Sequence, residues 1–196
     1  MKSQVTTKRG DRGETTTLGG EKLAKSHAII ECTGCIDEAR AYTALVRHRI
    51  LEQRPEGHEL CAEFLLWLIH VYFLMGAACN DPTNRRPEYR RGDLGPAHIR
   101  RLEAEQQRLE EQVKLPRQFI ASASTLLAAE VDVLVTVVRR LERSLVREKE
   151  AVPEFEASSI LIFVNRLSDT LFMLARFLEH GDHLPVDYSL LDEDGA

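Results

Sequence analysis

Alternating apolar and polar runs bounded by turn residues are scarce in this 196-residue chain, which excludes a fold built on a large sheet. The first 25 residues have no apolar core of a signal peptide. The longest apolar run, "FLLWLIHVYFLMGAAC", falls short of a full span and contains His70, so the expectation is a cytoplasmic protein without membrane attachment. An excess of positive charge is also missing: the formal net charge of −5 argues against general nucleic-acid affinity, while local basic clusters can still hold a phosphorylated ligand. No GxxxxGK[ST] loop follows a strand, so any phosphate site is not of that type. Of the four cysteines, Cys32 and Cys35 form "CTGC", but no second CxxC or histidine pair completes a zinc or redox centre. Free thiols are the plain reading.

What is present is helical periodicity. From about residue 28 apolar residues recur every three or four positions, and five segments emerge at 28–51, 58–79, 96–113, 117–148 and 154–180. "QRPEGH", "NDPTNRRPEYRRGDLGP", "KLPRQ" and "AVPEF" separate them. Leu127, Val131, Leu134, Val138, Leu141 and Leu145 form one stripe, and Ile160, Val164, Leu167, Leu171, Leu174 and Leu178 another. Two such helices pack on each other or on a neighbouring subunit. The expected architecture is all-α: one domain over 1–196, with an N-terminal loop at 1–26, a five-helix bundle at 27–180 and an acidic tail at 181–196.

Three polar clusters are candidates for chemistry. The opening "TKRGDRGETTTLGGEKLAK" has almost no apolar residues; its glycines allow close backbone approach, its threonines offer hydroxyls, and Lys8 and Lys25 bring charge. A triphosphate loop and a disordered tail are both compatible with that composition. In "RRLER", Arg139, Glu142 and Arg143 share a helix face, which reads either as an anion site or as a solvated, salt-bridged surface. Asn165 and Asp169 lie one turn apart in an apolar helix and fit ligand binding or a register-fixing network. His180 and His183 are two metal donors without a third.

Taken in order, "TKRGDRGETTTLGGEKLAK", "GCIDE", "LIHVYFLMGAACNDP", "RQFIASAS", "VVRRLERSLV" and "FVNRLSDTLFMLARF" resemble the ATP:cob(I)alamin adenosyltransferases of the trimeric, five-helix-bundle type. The resemblance implies a homotrimer binding ATP, Mg²⁺ and cob(I)alamin at subunit interfaces, with the N-terminal loop ordering over the triphosphate. By position it assigns Thr7, Lys8, Arg9, Gly10, Thr15, Thr16 and Lys25 to the polyphosphate, and Arg139, Arg140, Glu142, Arg143 and Asn165 to the helical ATP contacts. It gives Asp37 an interface ion pair and Phe119 the displacement of the corrinoid's lower ligand; a core phenylalanine is the alternative for Phe119. The catalytic set is thus Arg139, Glu142, Asp37 and Phe119, with Mg²⁺ held mainly by ATP. Other partners implied are a reductase or a vitamin B12-dependent mutase.

Three departures accompany the resemblance. Val135 stands where the family carries an arginine, Arg40 replaces an asparagine, and Ala121–Ser124 replace a Leu-Pro-Gly-Gly turn, so that "FIASASTLLAAE" is expected to begin its helix early. A second reading follows from them: a non-catalytic carrier, sensor or assembly protein that binds ATP or adenosylcobalamin on the same fold. If Asp37 is buried, Arg139, Arg40 or His70 must supply its missing cation.

Overall fold

A computed structural model describes residues 6, 8, 10–115 and 117–191. Five helices carry the fold: α1 (Ala28–Gln53), α2 (His58–Asn80), α3 (Pro96–Glu110), α4 (Leu126–Ala151) and α5 (Ser158–Leu178). Two small antiparallel ladders accompany them, β1 (Glu14–Thr16) with β2 (Lys22–Ala24) and β3 (Ile120–Ser122) with β4 (Leu184–Pro185). Neighbours pack as α1 on α2, α1 on α4, α4 on α5 and α3 on α5.

The apolar stripes place the core. Every residue of the α4 and α5 stripes is buried, and the two helices lie against each other. Facing them, α1 contributes Ile36, Ala39, Val46 and Ile50, and α2 contributes Leu65, Leu68 and Met75. Two helices, His58–Asn80 and Ser158–Leu178, are long and apolar enough to cross a membrane; both line this core, which accounts for their composition.

Local chemistry sets the helix ends. The His27 ring accepts the Ile29 N–H at the start of α1, and Arg54 closes that helix in the left-handed region. The reversal into α2 passes through Gly57 at φ +69, where an added Cβ would stand 2.9 Å from the Phe177 ring. Only glycine meets both demands there.

Two expectations need correction. The fourth helix begins at Leu126, not near 117, because residues 120–122 pair with the tail and Thr125 then caps α4 by accepting the Ala128 N–H at 3.1 Å. The polar start is not an open loop: residues 14–24 form the β1–β2 hairpin, with Glu14 facing Ala24 and Thr16 facing Lys22. The tail is likewise structured through β4 and a short 3-10 turn at Tyr188–Leu191.

Candidate functional site

The hairpin is held by polar contacts rather than by a core. Thr17 is buried at its turn and its hydroxyl accepts the Glu21 N–H at 3.0 Å. The Leu18 N–H donates to the Asn80 side-chain oxygen, and Asn80 Nδ2 donates to Thr33 Oγ1 at 2.9 Å, tying the turn to both α2 and α1. Next to it the buried Asp81 carboxylate accepts the N–H groups of Arg85 and Arg86 at 2.9 and 2.8 Å. Gly19 packs so closely on Asp81 that an added Cβ would fall 2.5 Å from its Oδ1. Asn80 and Asp81, which site reasoning from sequence passed over, thus anchor the hairpin; an Asn-Asp-Pro run at a helix end was the available signal.

Several of the expected phosphate residues lie in or next to the anchored hairpin. The Lys25 N–H donates to Gly13 O at 2.8 Å, and Lys25 Nζ lies where a side chain on Gly10 would sit, 3.0 Å from its Cβ position. Lys8, Thr16 and Lys25 are exposed and Thr15 half-buried, so their donors are available to a ligand. Thr7 and Arg9 lie outside the described residues.

The helical residues form a second group. Half-buried Glu142 of α4 accepts the Asn165 Nδ2 of α5 at 3.1 Å, as their positions on facing helices require. Arg140 pairs with Glu38 of α1. Arg139 and Arg143 are exposed, and among the described residues neither side chain has an ion-pair partner. No hydrogen bond or ion pair between described residues joins this group to the hairpin within one chain. Asn165 and Asp169 are both exposed, so the polar pair on α5 is not a buried network.

Asp37 is exposed and pairs with Arg40 at 3.1 Å. The replacement at position 40 therefore supplies the cation within the same helix turn, while Val135 is buried in the core. Both Asp37 and Arg40 line a cavity of about 380 Å³ whose walls include Ile36, Tyr72, Phe73 and Arg91. The Arg40 guanidinium stands 5.2 Å from the Phe73 ring centre. Burial pushes the Tyr72 hydroxyl well above the usual phenol range, so it stays protonated.

Phe119 is 79% exposed and is not a core phenylalanine. Its carbonyl accepts the Val186 N–H at 2.9 Å, and exposed Leu126, Leu184 and Tyr188 belong to the same end of the chain path. A charged cluster supports this loop from below. Arg176, only 1% exposed, meets Asp132 at 2.7 Å and Glu179 at 2.7 Å. The Arg176 Nε–Glu179 contact is one of charges rather than an aligned hydrogen bond. The other Glu179 oxygen accepts the Ser124 N–H at 2.9 Å, and His183 stands 3.6 Å from the carboxylate. Neither His180 nor His183 joins a group of three metal-ligating residues among the described residues.

A solved variant of the Lactobacillus reuteri PduO-type ATP:corrinoid adenosyltransferase, complexed with cobalamin and ATP, superposes with a TM-score of 0.79 at 24% identity, covering 94% of this chain and 96% of that one. The corrinoid adenosyltransferase PduO of Citrobacter freundii is 29% identical over 91% of this chain; the chain spans about half of that relative's length, 51%. The cobalamin adenosyltransferase of Cupriavidus metallidurans is 31% identical, over 91% of this chain and 90% of the relative. With the family model for cobalamin adenosyltransferase matching residues 5–178, the chain belongs to the cobalamin adenosyltransferase family.

Proposed function

We propose that the protein transfers the 5′-deoxyadenosyl group of ATP to cob(I)alamin, giving adenosylcobalamin and triphosphate. Cobalt(I) supplies the electron pair of the new Co–C bond, the C5′–O bond breaks, and its electron pair leaves with the triphosphate. The protein's part is placement of the two reactants and stabilisation of the departing charge.

The observation that carries this reading is the α4 face, where Arg139 and Arg143 are exposed beside a Glu142 already fixed by Asn165. Cations left without partners on a braced helix suit a polyanion. Lys8, Gly10, Thr15, Thr16 and Lys25 are the second half of the ATP site, completed by Thr7 and Arg9. The separation of the halves within one chain is met by a homotrimer in which the hairpin of one subunit covers α4 of the next. The hydroxyls, ammonium groups and guanidinium groups suit phosphate oxygens better than a metal, so Mg²⁺ is held through ATP, where it neutralises phosphate charge. Exposed Phe119 and its apolar neighbours offer the flat surface that a corrinoid ring needs. The four free thiols suit a cytoplasmic setting, with cob(I)alamin delivered by a reductase and the product passed to a mutase.

A second reading, a carrier or sensor that binds without turnover, is favoured by one observation: Val135 is buried where the resemblance expects an arginine. An anaerobic assay with chemically reduced cobalamin and MgATP separates the two. A light-sensitive alkylcobalamin spectrum, formed over many turnovers, supports the enzyme; ATP binding without that product supports the carrier.

A further inference from the structure

The α4 stripe continues past Leu141 and Leu145 to position 148, where the next apolar residue belongs. The residue there is Glu148, 0% exposed; no hydrogen bond of good geometry reaches either carboxylate oxygen among the described residues, and the thiols of Cys32 and Cys79 give it only weak relief. A carboxyl so weakly partnered in a core is costly and calls for a compensating group. Its neighbours are the Cys32 thiol of α1 and the Cys79 thiol of α2, also 0% exposed. The three potential ligand atoms lie within 4.8 Å of one another. Cys35, the other half of "CTGC", is not in this group.

The geometry points to a buried metal site for a thiophilic divalent ion of the zinc type, built by Cys32, Cys79 and Glu148. An ion with Zn–S of about 2.3 Å and Zn–O of about 2.0 Å keeps its ligand atoms less than about 4.6 Å apart, so a small side-chain adjustment suffices. Two soft sulfurs with one hard oxygen suit Zn²⁺; Cu⁺ gains little from a carboxylate. Two thiolates and a carboxylate around a divalent ion leave one negative charge, which Arg90, itself paired with Asp93 at 3.3 Å, offsets in part. Arg90 attracts Cys79 through space, and its buried Nε has no hydrogen-bond partner among the described residues.

Without a metal the groups face one another protonated. Burial pushes the Glu148 carboxyl up to about 8, and the thiols relieve it only in part. Cys32 is held far above the usual thiol range, first by Cys79 and then by burial. An ion that displaces these protons removes the conflict at once. A route in exists. A surface depression lined by Glu21, His27, Ile29, Pro82, Val152 and Glu154 sits at the same end of the bundle. Ile29, Pro82 and Val152 are three or four residues in sequence from Cys32, Cys79 and Glu148 respectively. The ion would clamp α1, α2 and α4 beneath the hairpin.

The test is titration of reduced, chelator-treated full-length protein with Cd²⁺ and with Co²⁺, without ATP. Expected are one ion per chain, a thiolate-to-metal charge-transfer band and a tetrahedral Co²⁺ spectrum, with a water in the fourth position. Loss of an outer-shell partner alone costs about 10–100-fold in metal affinity, so Cys79→Ala and Glu148→Leu should lose at least as much. Cys61→Ala, removing the cysteine beside Arg108, should retain uptake. Glu148→Leu should also raise the melting temperature of the metal-free protein, which keeps the test valid if the cysteine variants fold poorly. Absence of a charge-transfer band in the wild type, unchanged uptake in Glu148→Leu, or a Cys32–Cys79 disulfide in a protein whose reduced form takes up no ion would each overturn the site.

Discussion

Replacing Arg176 by Met tests how the loop bearing Phe119 is supported. Arg176 is 1% exposed and Glu179 is 0% exposed, so the variant leaves a carboxylate in the core without its main cation. Breaking a buried pair by removing one partner costs about 3–5 kcal/mol. The lower end applies, since the Ser124 N–H still donates to Glu179 and His183 stays 3.6 Å away. Loss of the Arg176 contact over Phe172, at 5.0 Å, adds to the cost. At about 2–4 °C per kcal/mol for a chain of this size, the melting temperature should drop by roughly 6–12 °C. Glu179→Gln should cost less, because Arg176 keeps Asp132 at 2.7 Å. The double variant should cost less than the sum of the two, measured by urea unfolding as a double-mutant cycle. An Arg176→Met protein within 1 kcal/mol of wild type, or strictly additive costs, would show that the cluster does not brace the loop.

Lys8→Ala and Arg139→Ala should each weaken ATP binding by calorimetry while leaving the helical circular dichroism unchanged, because both side chains are exposed. Unchanged affinity in both would remove the assigned phosphate site. Phe119→Ala should lower adenosylation with less than about 0.5 kcal/mol change in stability, as expected of an exposed position. In chelator-treated protein the folded state holds the Glu148 proton up to about pH 8 while the unfolded chain releases it near 4.5. Its stabilising effect is therefore full below pH 4.5 and is lost as pH rises through 8, at up to about 1.4 kcal/mol per unit; Glu148→Gln should flatten this slope in urea unfolding. Gly57→Ala should destabilise by more than about 1 kcal/mol, because φ is +69 and Phe177 occupies the space.

The legible parts of the molecule were those written in local period. The starts of α1, α2 and α3 follow from apolar spacing and prolines, and the α4 and α5 stripes fell on buried residues without exception. The shared face of Arg139, Glu142 and Arg143 was also readable, since it needs only helical geometry. What failed depended on distant partners. Ser122 is turned into a strand by Leu184, 62 residues later, so no local pattern shortens α4. The hairpin has no apolar signal because Asn80 holds it through hydrogen bonds and Asp81 through packing on Gly19. Arg176 sits in an apolar helix as though it were a surface charge, and only the fold shows it buried. The Cys32, Cys79 and Glu148 cluster joins three helices, and the misleading CxxC spacing drew attention to Cys35 instead.

The β3–β4 ladder makes residues 119–186 a closed circuit. The chain leaves Phe119, runs down α4, returns along α5 and comes back to donate a hydrogen bond to the Phe119 carbonyl. Two helices clasped at both ends cannot slide past each other independently. The ladder thus ties the packing of α5 on α4 to the segment that carries the exposed aromatic ring, a connection made through the backbone itself.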